Sequence, residues 1–367
     1  MKKILMTGNE AIAEGAIQAG CGFYSGYPIT PQNELIGYFA KHMPEKGRIF
    51  IQAESELAAI NMVFGASAAG ARAMTSSSSP GISLKQEGIS YIAAAELPAV
   101  IVNVMRAGPG LGNIWPAQSD YFQATRSGGH GDYHCIVLAP ASVQESYDIM
   151  FLAFDLADKY RNPVMILSDG ILGQMMEPLV VSGELLVASR KNKRPINQLT
   201  THQLTKPWAL TGCKGRKPNI AKSFYLKEGD LEKFNLRLQG KYKNIQDKET
   251  RYEGLFLEDA KIIVVAYGTM ARIAKSVVNK LREQGKKIGL IRPVTLWPFP
   301  KKIFQRLAVS DKLLVFLVIE MSYGQMLEDV QLAVNGKAPV EFLGRSGGGV
   351  PTEEEIIKKL QAISFKL

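Results

Sequence analysis

The chain has 367 residues, 46% of them apolar and 21% charged, which is length enough for two or three folded cores. No apolar run approaches the roughly 18 to 20 residues of a membrane-spanning helix. The early apolar stretch Ile4, Leu5 and Met6 is also shorter than the roughly 7 to 15 residues of a signal-peptide core, so a cytoplasmic protein is expected.

The formal net charge of +10 is local. Residues 190–254 hold 16 Lys and Arg against 6 Asp and Glu, while the other 302 residues carry 28 of each sign. Cys21, Cys135 and Cys213 are too few and too far apart for a disulfide framework or a CxxC site. Any iron–sulfur cluster would therefore sit on another chain.

Over residues 1–187, the runs KILMT, RIFIQ, AVIVNV, CIVLA and PVMIL predict strands. Helix-like stretches at 10–18, 56–71, 83–96 and 142–159 lie between them, and this alternation predicts a mostly parallel, doubly wound α/β sheet. Residues 188–256 are basic and polar, with Pro195, Pro207 and Pro218, and read as a solvated connection with little core of its own. From 257 to 367 the pattern resumes as IIVVAYG, a helix over 270–284, KIGLIRPVT, a helix over 300–308, LLVFLVIE, a helix over 324–335, PVEFLG and a charged terminal helix. This predicts a second, smaller α/β domain.

The segment GYPITPQNEL (26–35) is tightly constrained. Pro28 and Pro31 bias Tyr27 and Thr30 toward extended geometry, and Pro31 suits the first turn of a helix, with Thr30 at its N-cap. The Thr30 hydroxyl then either caps the helix or joins a strand end and a helix N-terminus in a small anion site. In IQAESELAAINMVFGASAAG, Glu54 and Glu56 open an unusually apolar, small-residue helix. They complement the helix dipole, or one of them is a buried carboxyl with a raised pKa that shares a proton with a bound heterocycle. TSSSSPG (75–81), containing Ser78 and Ser79, reads as a loop before a helix starting near Ser83. Arg106 follows a strand and precedes AGPGLGN, at the carboxyl end where α/β ligands bind. A bidentate carboxylate contact and a surface salt bridge both fit it.

Other patterns carry less. GPGLG (108–112) lacks the GxGxxG spacing of a nicotinamide site. SDGILG (168–173) imitates half of a diphosphate–magnesium motif without its first Gly, and no metal is assigned to it. His130 and His134 sit among glycines rather than on a metal-binding helix, although His130 remains a candidate near a substrate.

GYPITPQ, QAESELAAINMVFGASAAGARAMTSSSSPGISL, VNVMRAGPGLGN, QSDYFQATRSGGHGDY, LAPASVQE and RNPVMILSDG together resemble the alpha subunit of 2-oxoacid:ferredoxin oxidoreductases, with the branched-chain, 2-oxoisovalerate type nearest. IRPVTLWPFP and VIEMSYGQMLEDV extend the resemblance through the C-terminal part; the basic segment contributes no motif. The resemblance implies a pyrimidine-type thiamine-diphosphate-binding domain followed by a transketolase C-terminal-like domain. It further implies a beta subunit carrying the diphosphate and Mg2+ site, an iron–sulfur subunit with [4Fe-4S] clusters, ferredoxin as electron acceptor and coenzyme A as co-substrate. Glu56, rather than Glu54, matches the glutamate that hydrogen-bonds N1′ of the aminopyrimidine. Pro28, Ile29, Thr30, Ser78 and Ser79 are expected around the cofactor, and Thr30 and Arg106 on the substrate's carboxylate and carbonyl. The implied reaction is oxidative decarboxylation of a 2-oxoacid to an acyl-CoA. 2-Oxoisovalerate is the leading substrate, because a second carboxylate would need another cation. Alone, the chain should be inactive.

Two readings from other classes stand beside this one. The basic segment allows a nucleic-acid-binding protein with salt-sensitive affinity, and the α/β alternation allows a nicotinamide dehydrogenase, against which the missing fingerprint speaks.

Overall fold

The structure, a computed structural model, describes residues 3–181, 206–309 and 314–364. Its first part runs β1 (Lys3–Thr7), α1 (Gly8–Gln18), β2 (Phe23–Gly26), α2 (Asn33–Glu45), β3 (Ile49–Gln52), α3 (Glu56–Ala68), β4 (Ala73–Ser77), α4 (Ser79–Ala94), β5 (Ala99–Met105), α5 (Tyr121–Thr125), β6 (Ile136–Leu138), α6 (Val143–Tyr160), β7 (Pro163–Asp169), α7 (Gly170–Gln174) and β8 (Met176–Val180). There follow α8 (Asp230–Lys248), β9 (Tyr252–Leu255), β10 (Ile262–Val265), α9 (Gly268–Glu283), β11 (Ile288–Pro293), β12 (Thr295–Trp297), α10 (Lys301–Ala308), β13 (Val315–Glu320), α11 (Gln325–Val334), β14 (Val340–Gly344) and α12 (Glu353–Ser364).

The main sheet has the order β12-β6-β7-β5-β4-β2-β3. Its strands are parallel except β12, which lies antiparallel to β6. The central strands β5 and β7 are buried along their whole length, as continuous apolar runs covered by helices on both faces must be. A second sheet, β14-β13-β10-β11-β9, is parallel except for β9. Both sheets agree with the predicted α/β architecture.

The differences have physical causes. KILMT is a strand, yet it pairs antiparallel with β8 in a separate two-stranded ribbon. The strands β2 and β4 escape the apolar pattern because they are short and rich in Ser and Gly. AMTSS is buried throughout, and the Ser76 hydroxyl finds partners inside: its Oγ donates to Gln32 Oε1 at 2.6 Å and meets Tyr24 Oη at 2.7 Å. TSSSSPG is therefore not a loop, since Thr75–Ser77 finish β4 and α4 begins at Ser79 with Pro80 in its first turn.

The basic segment departs most from expectation. Residues 182–205 lie outside the described residues, but Asp230–Lys248 form a 19-residue helix that buries Phe234, Leu238, Tyr242 and Ile245. The connection thus carries core of its own. The two halves also share structure. β12 leaves the C-terminal part to pair with β6 of the main sheet, and its Trp297 ring stacks on His134 at 4.5 Å and meets Tyr242 edge-on at 5.7 Å. Asp169 accepts from the backbone N–H groups of Ile171 and Leu172, capping α7, and also from Thr269 Oγ1 at 2.7 Å. Asp169 thus does structural work in SDGILG. One apolar core runs from Ile12 and Tyr24 through Tyr242 to Phe316, and a smaller one gathers around Val264, Leu290, Leu317 and Ile356.

Candidate functional site

The site forms at the carboxyl ends of β2, β4 and β5, where the chain leaves parallel strands and the following backbone is free to face a ligand. Glu56 is the first residue of α3, behind the N-cap Ser55, whose side chain accepts from Ala58 N–H. Glu54 precedes the helix and is exposed, whereas Glu56 is only 6% exposed. A carboxylate buried at a helix N-terminus normally collects hydrogen bonds. This one has a single long contact, from Ser77 Oγ at 3.5 Å, and so retains acceptor capacity.

The start of α4 packs directly against Glu56. Gly81 lies against the carboxylate so closely that a Cβ there would run into Ser77 Oγ and Glu56 Oε1. Ser78, the N-cap of α4, has a buried hydroxyl with no partner among the described residues. Ser79 instead is fully engaged: its Oγ donates to Asp120 Oδ2 at 2.6 Å and its N–H to Asn103 Oδ1 at 3.1 Å. Burial pushes the Asp120 carboxyl up, while the hydrogen bonds from Ser79 and Asn103 pull it down. The Ser79 hydroxyl also accepts from the backbone N–H of Arg106 at 3.0 Å, tying α4 to the end of β5.

Arg106 is 7% exposed and belongs to no salt bridge among the described residues. Its Nη1 donates to the carbonyl of Thr30 and its Nη2 to that of Leu111, each at 3.1 Å, and its Nε has no partner. The surface-salt-bridge reading of Arg106 is thereby corrected. A buried guanidinium satisfied only by neutral carbonyls leaves its charge uncompensated, which suits it to an anionic ligand. The contact also brings Thr30 to Arg106. Thr30 itself is not the N-cap of α2, because the helix starts at Asn33 behind Gln32, and the Thr30 hydroxyl caps nothing. Gln32 has its side chain drawn inward to Ser76 and the Tyr27 carbonyl, and Asn9 Nδ2 holds the Pro31 carbonyl at 2.8 Å. Pro28 is exposed and Ile29 half-buried on the same loop.

Glu56, Ser78, Ser79, Arg106 and Thr30 are thus linked through one run of contacts. His130 is outside it. It is exposed, and its carbonyl accepts from Ser90 Oγ, eleven residues along α4 from Ser79, or about 16 Å at the α-helical rise. Sequence reasoning missed Gln32, Asn103, Asp120, Gly81 and Lys85, whose polar partners come from distant strands; only Lys85, a cation within an otherwise neutral helix face, carried a signal. Among the described residues no group of three or more His, Cys, Asp or Glu is placed to hold a metal ion.

Comparison with known proteins shows the family. Residues 14–217 match the family described as pyruvate flavodoxin/ferredoxin oxidoreductase, thiamine diphosphate-binding, and residues 260–356 match pyruvate:ferredoxin oxidoreductase core domain II. The chain is 50% identical to ketoisovalerate oxidoreductase subunit VorB of Methanothermobacter marburgensis, over 98% of this chain and 97% of that one. It is 37% identical to 2-oxoglutarate synthase subunit KorA of the same organism, over 99% of both. Among solved structures, 2-oxoglutarate:ferredoxin oxidoreductase from Magnetococcus marinus is 28% identical with a TM-score of 0.83, covering 98% of this chain; the chain spans 65% of that longer one. A split-gene transketolase, 14% identical with a TM-score of 0.58, shares the fold.

Proposed function

This chain belongs to the 2-oxoacid:ferredoxin oxidoreductase family as one of its subunits, and from that membership we propose that it converts a branched-chain 2-oxoacid, 2-oxoisovalerate, to its acyl-CoA with release of carbon dioxide and reduction of ferredoxin. The observation that carries the reading is the buried, uncompensated Arg106, tied to Ser79 at the start of α4, together with the under-satisfied carboxylate of Glu56, met by Ser77 at the end of β4. A cation for a carboxylate and a carboxyl for a heterocycle are thus both tied to the junction of β4 and α4.

The residues fit thiamine diphosphate. Glu56 offers a buried carboxyl to N1′ of the aminopyrimidine, Gly81 leaves the space before it, and Ser78 offers an unused hydroxyl at the start of α4. When bound, the cofactor supplies the nucleophilic carbon for the 2-oxo group and the electron sink for decarboxylation. Arg106 holds the substrate carboxylate, the Thr30 hydroxyl faces the carbonyl region, and Glu56 holds a proton at N1′ that favours the reactive tautomer. In this proposal a beta subunit contributes the diphosphate and Mg2+ site, and an iron–sulfur subunit receives the electrons and passes them to ferredoxin in the cytoplasm.

The branched-chain substrate is favoured over 2-oxoglutarate by the loop after Arg106. It carries two exposed apolar residues, Leu111, whose backbone carbonyl accepts from the guanidinium, and Ile114, three residues on. Apolar side chains there welcome an isopropyl group and offer nothing to a second carboxylate. The relatives acting on ketoisovalerate, by name, are also more similar than those named for 2-oxoglutarate.

The test is coenzyme-A-dependent reduction of a viologen dye, under anaerobic conditions, by this chain co-purified with its partners. 2-Oxoisovalerate should be preferred to pyruvate and 2-oxoglutarate. Preference for another 2-oxoacid keeps the chemistry and overturns the substrate, and a complex that binds no thiamine diphosphate overturns both.

A further inference from the structure

Lys85 is an unexplained residue at this site. Gly81, Lys85 and Gly88 follow at i, i+4 and i+7 on α4, one face of the helix, and that face lies on α3. Gly81 meets the Glu56 carboxylate and Gly88 meets Ile60. Lys85 sits between the two glycines, 0% exposed, with Nζ donating to the backbone carbonyl of Glu56 at 3.3 Å.

An ammonium has three protons to place, and this one has one acceptor among the described residues. Burial pushes its pKa down and the charge of Glu56 partly opposes this, leaving it lowered to about 7. From α3 the charged group facing it is Glu56, and the side chains of β4 beside that carboxylate are uncharged. On α4 itself, Glu87 turns outward to Tyr91. Of the 126–134 loop packed on α4, Gly128 and Gly129 meet Gln86 and Ser90, Arg126 is paired with Asp329, and His130 and Asp132 are exposed. Packing alone would be served as well by Met or Leu, without burying a charge at the positive end of α3.

We propose that Lys85 is a positioning residue for the cofactor: its ammonium, held behind Glu56, stabilises the ionised carboxylate and moves the proton shared by Glu56 and the aminopyrimidine onto N1′. The proton leaves the Glu56 carboxyl oxygen and arrives on the ring nitrogen, with Lys85 keeping its own. This rests on the thiamine diphosphate reading of Glu56 and adds the group that tunes it. An opposite charge nearby favours the ionised form of a carboxylate, and each tenfold change in such an equilibrium is one pH unit.

The experiment uses the co-purified complex loaded with thiamine diphosphate. Lys85→Met and Lys85→Gln both remove the charge and keep most of the volume. Three quantities are measured: cofactor affinity, deuterium exchange at C2 of the thiazolium without substrate, and the near-ultraviolet circular dichroism of the imino tautomer. The expected result is near-wild-type affinity with C2 exchange about tenfold slower and a weaker imino band. A purely structural lysine would lower the melting temperature and leave exchange and band unchanged. Wild-type exchange in either assembled variant overturns the proposal, and so does failure of both variants to assemble. Failure of the underlying reading is separate and visible first, as a wild-type complex that binds no thiamine diphosphate.

Discussion

Glu56 and Glu54 are two residues apart and chemically alike, yet one is buried beneath α4 and the other faces solvent. Glu56→Gln is expected to leave assembly and melting temperature close to wild type, while steady-state turnover falls by about a hundredfold or more, the usual range for a group managing a proton. An ordinary helix-start glutamate would show the opposite split, a few tenths of a kcal/mol in stability and no loss of rate. Gly81→Ala probes the same pocket from the other side: the added methyl meets Glu56 and Ser77, so cofactor titration should show weakened binding even where circular dichroism reports a folded chain. Asp148 gives a pH prediction. Burial pushes its carboxyl up to about 6, helped by the nearby Glu145 and opposed by the Gln144 hydrogen bond. The folded value exceeds the unfolded one of about 3.9, so the native state binds the extra proton and stability falls as pH rises from about 4 to about 6. Asp148→Asn should therefore stabilise by about 1–2 kcal/mol in urea unfolding at pH 7.5 and be neutral at pH 4; equal effects at both pH values would refute it.

Elements were legible where they advertise themselves by apolar periodicity. β5, β7, β10 and β13 are buried apolar strands and read as such, whereas β4 is equally buried but made of Ala, Met, Thr and Ser. A strand whose central Ser76 hydroxyl is satisfied by Tyr24 and Gln32 cannot be told from a polar loop until those partners are in place. α8 makes the complementary case. Phe234, Leu238, Tyr242 and Ile245 repeat at intervals of four, four and three, a helical stripe visible in the sequence, but the dense positive charge of the segment pointed to solvent. Leu238 is 2% exposed, and Leu238→Ala should cost about 2–5 kcal/mol by thermal or urea melting. A solvated connection would tolerate the same change almost without effect.

Across the whole molecule, the two α/β halves are bound together. β12 closes the edge of the main sheet, Gln118 donates to the Tyr267 carbonyl and accepts from Met321 N–H, and Tyr121 donates to Asp329 at 2.6 Å. A chain cut after residue 256 loses β12 and the Trp297 ring, and it is expected to melt earlier and be proteolysed faster than the full chain; unchanged protection would show the halves to be independent. No helix among the described residues is long and apolar enough to cross a membrane. The sequence by itself determined the α/β class, the succession of the two sheets and the family, and singled out Glu56 and Arg106 as candidates, because periodicity and long ordered motifs are local properties. Only the tertiary structure decided that Thr30 is tied through its carbonyl to Arg106 instead of capping α2, that the serines of 76–79 are buried, and that Lys85 donates to the backbone of Glu56. Those facts depend on which distant strands and helices come into hydrogen-bond range, a non-local property that no stretch of sequence carries.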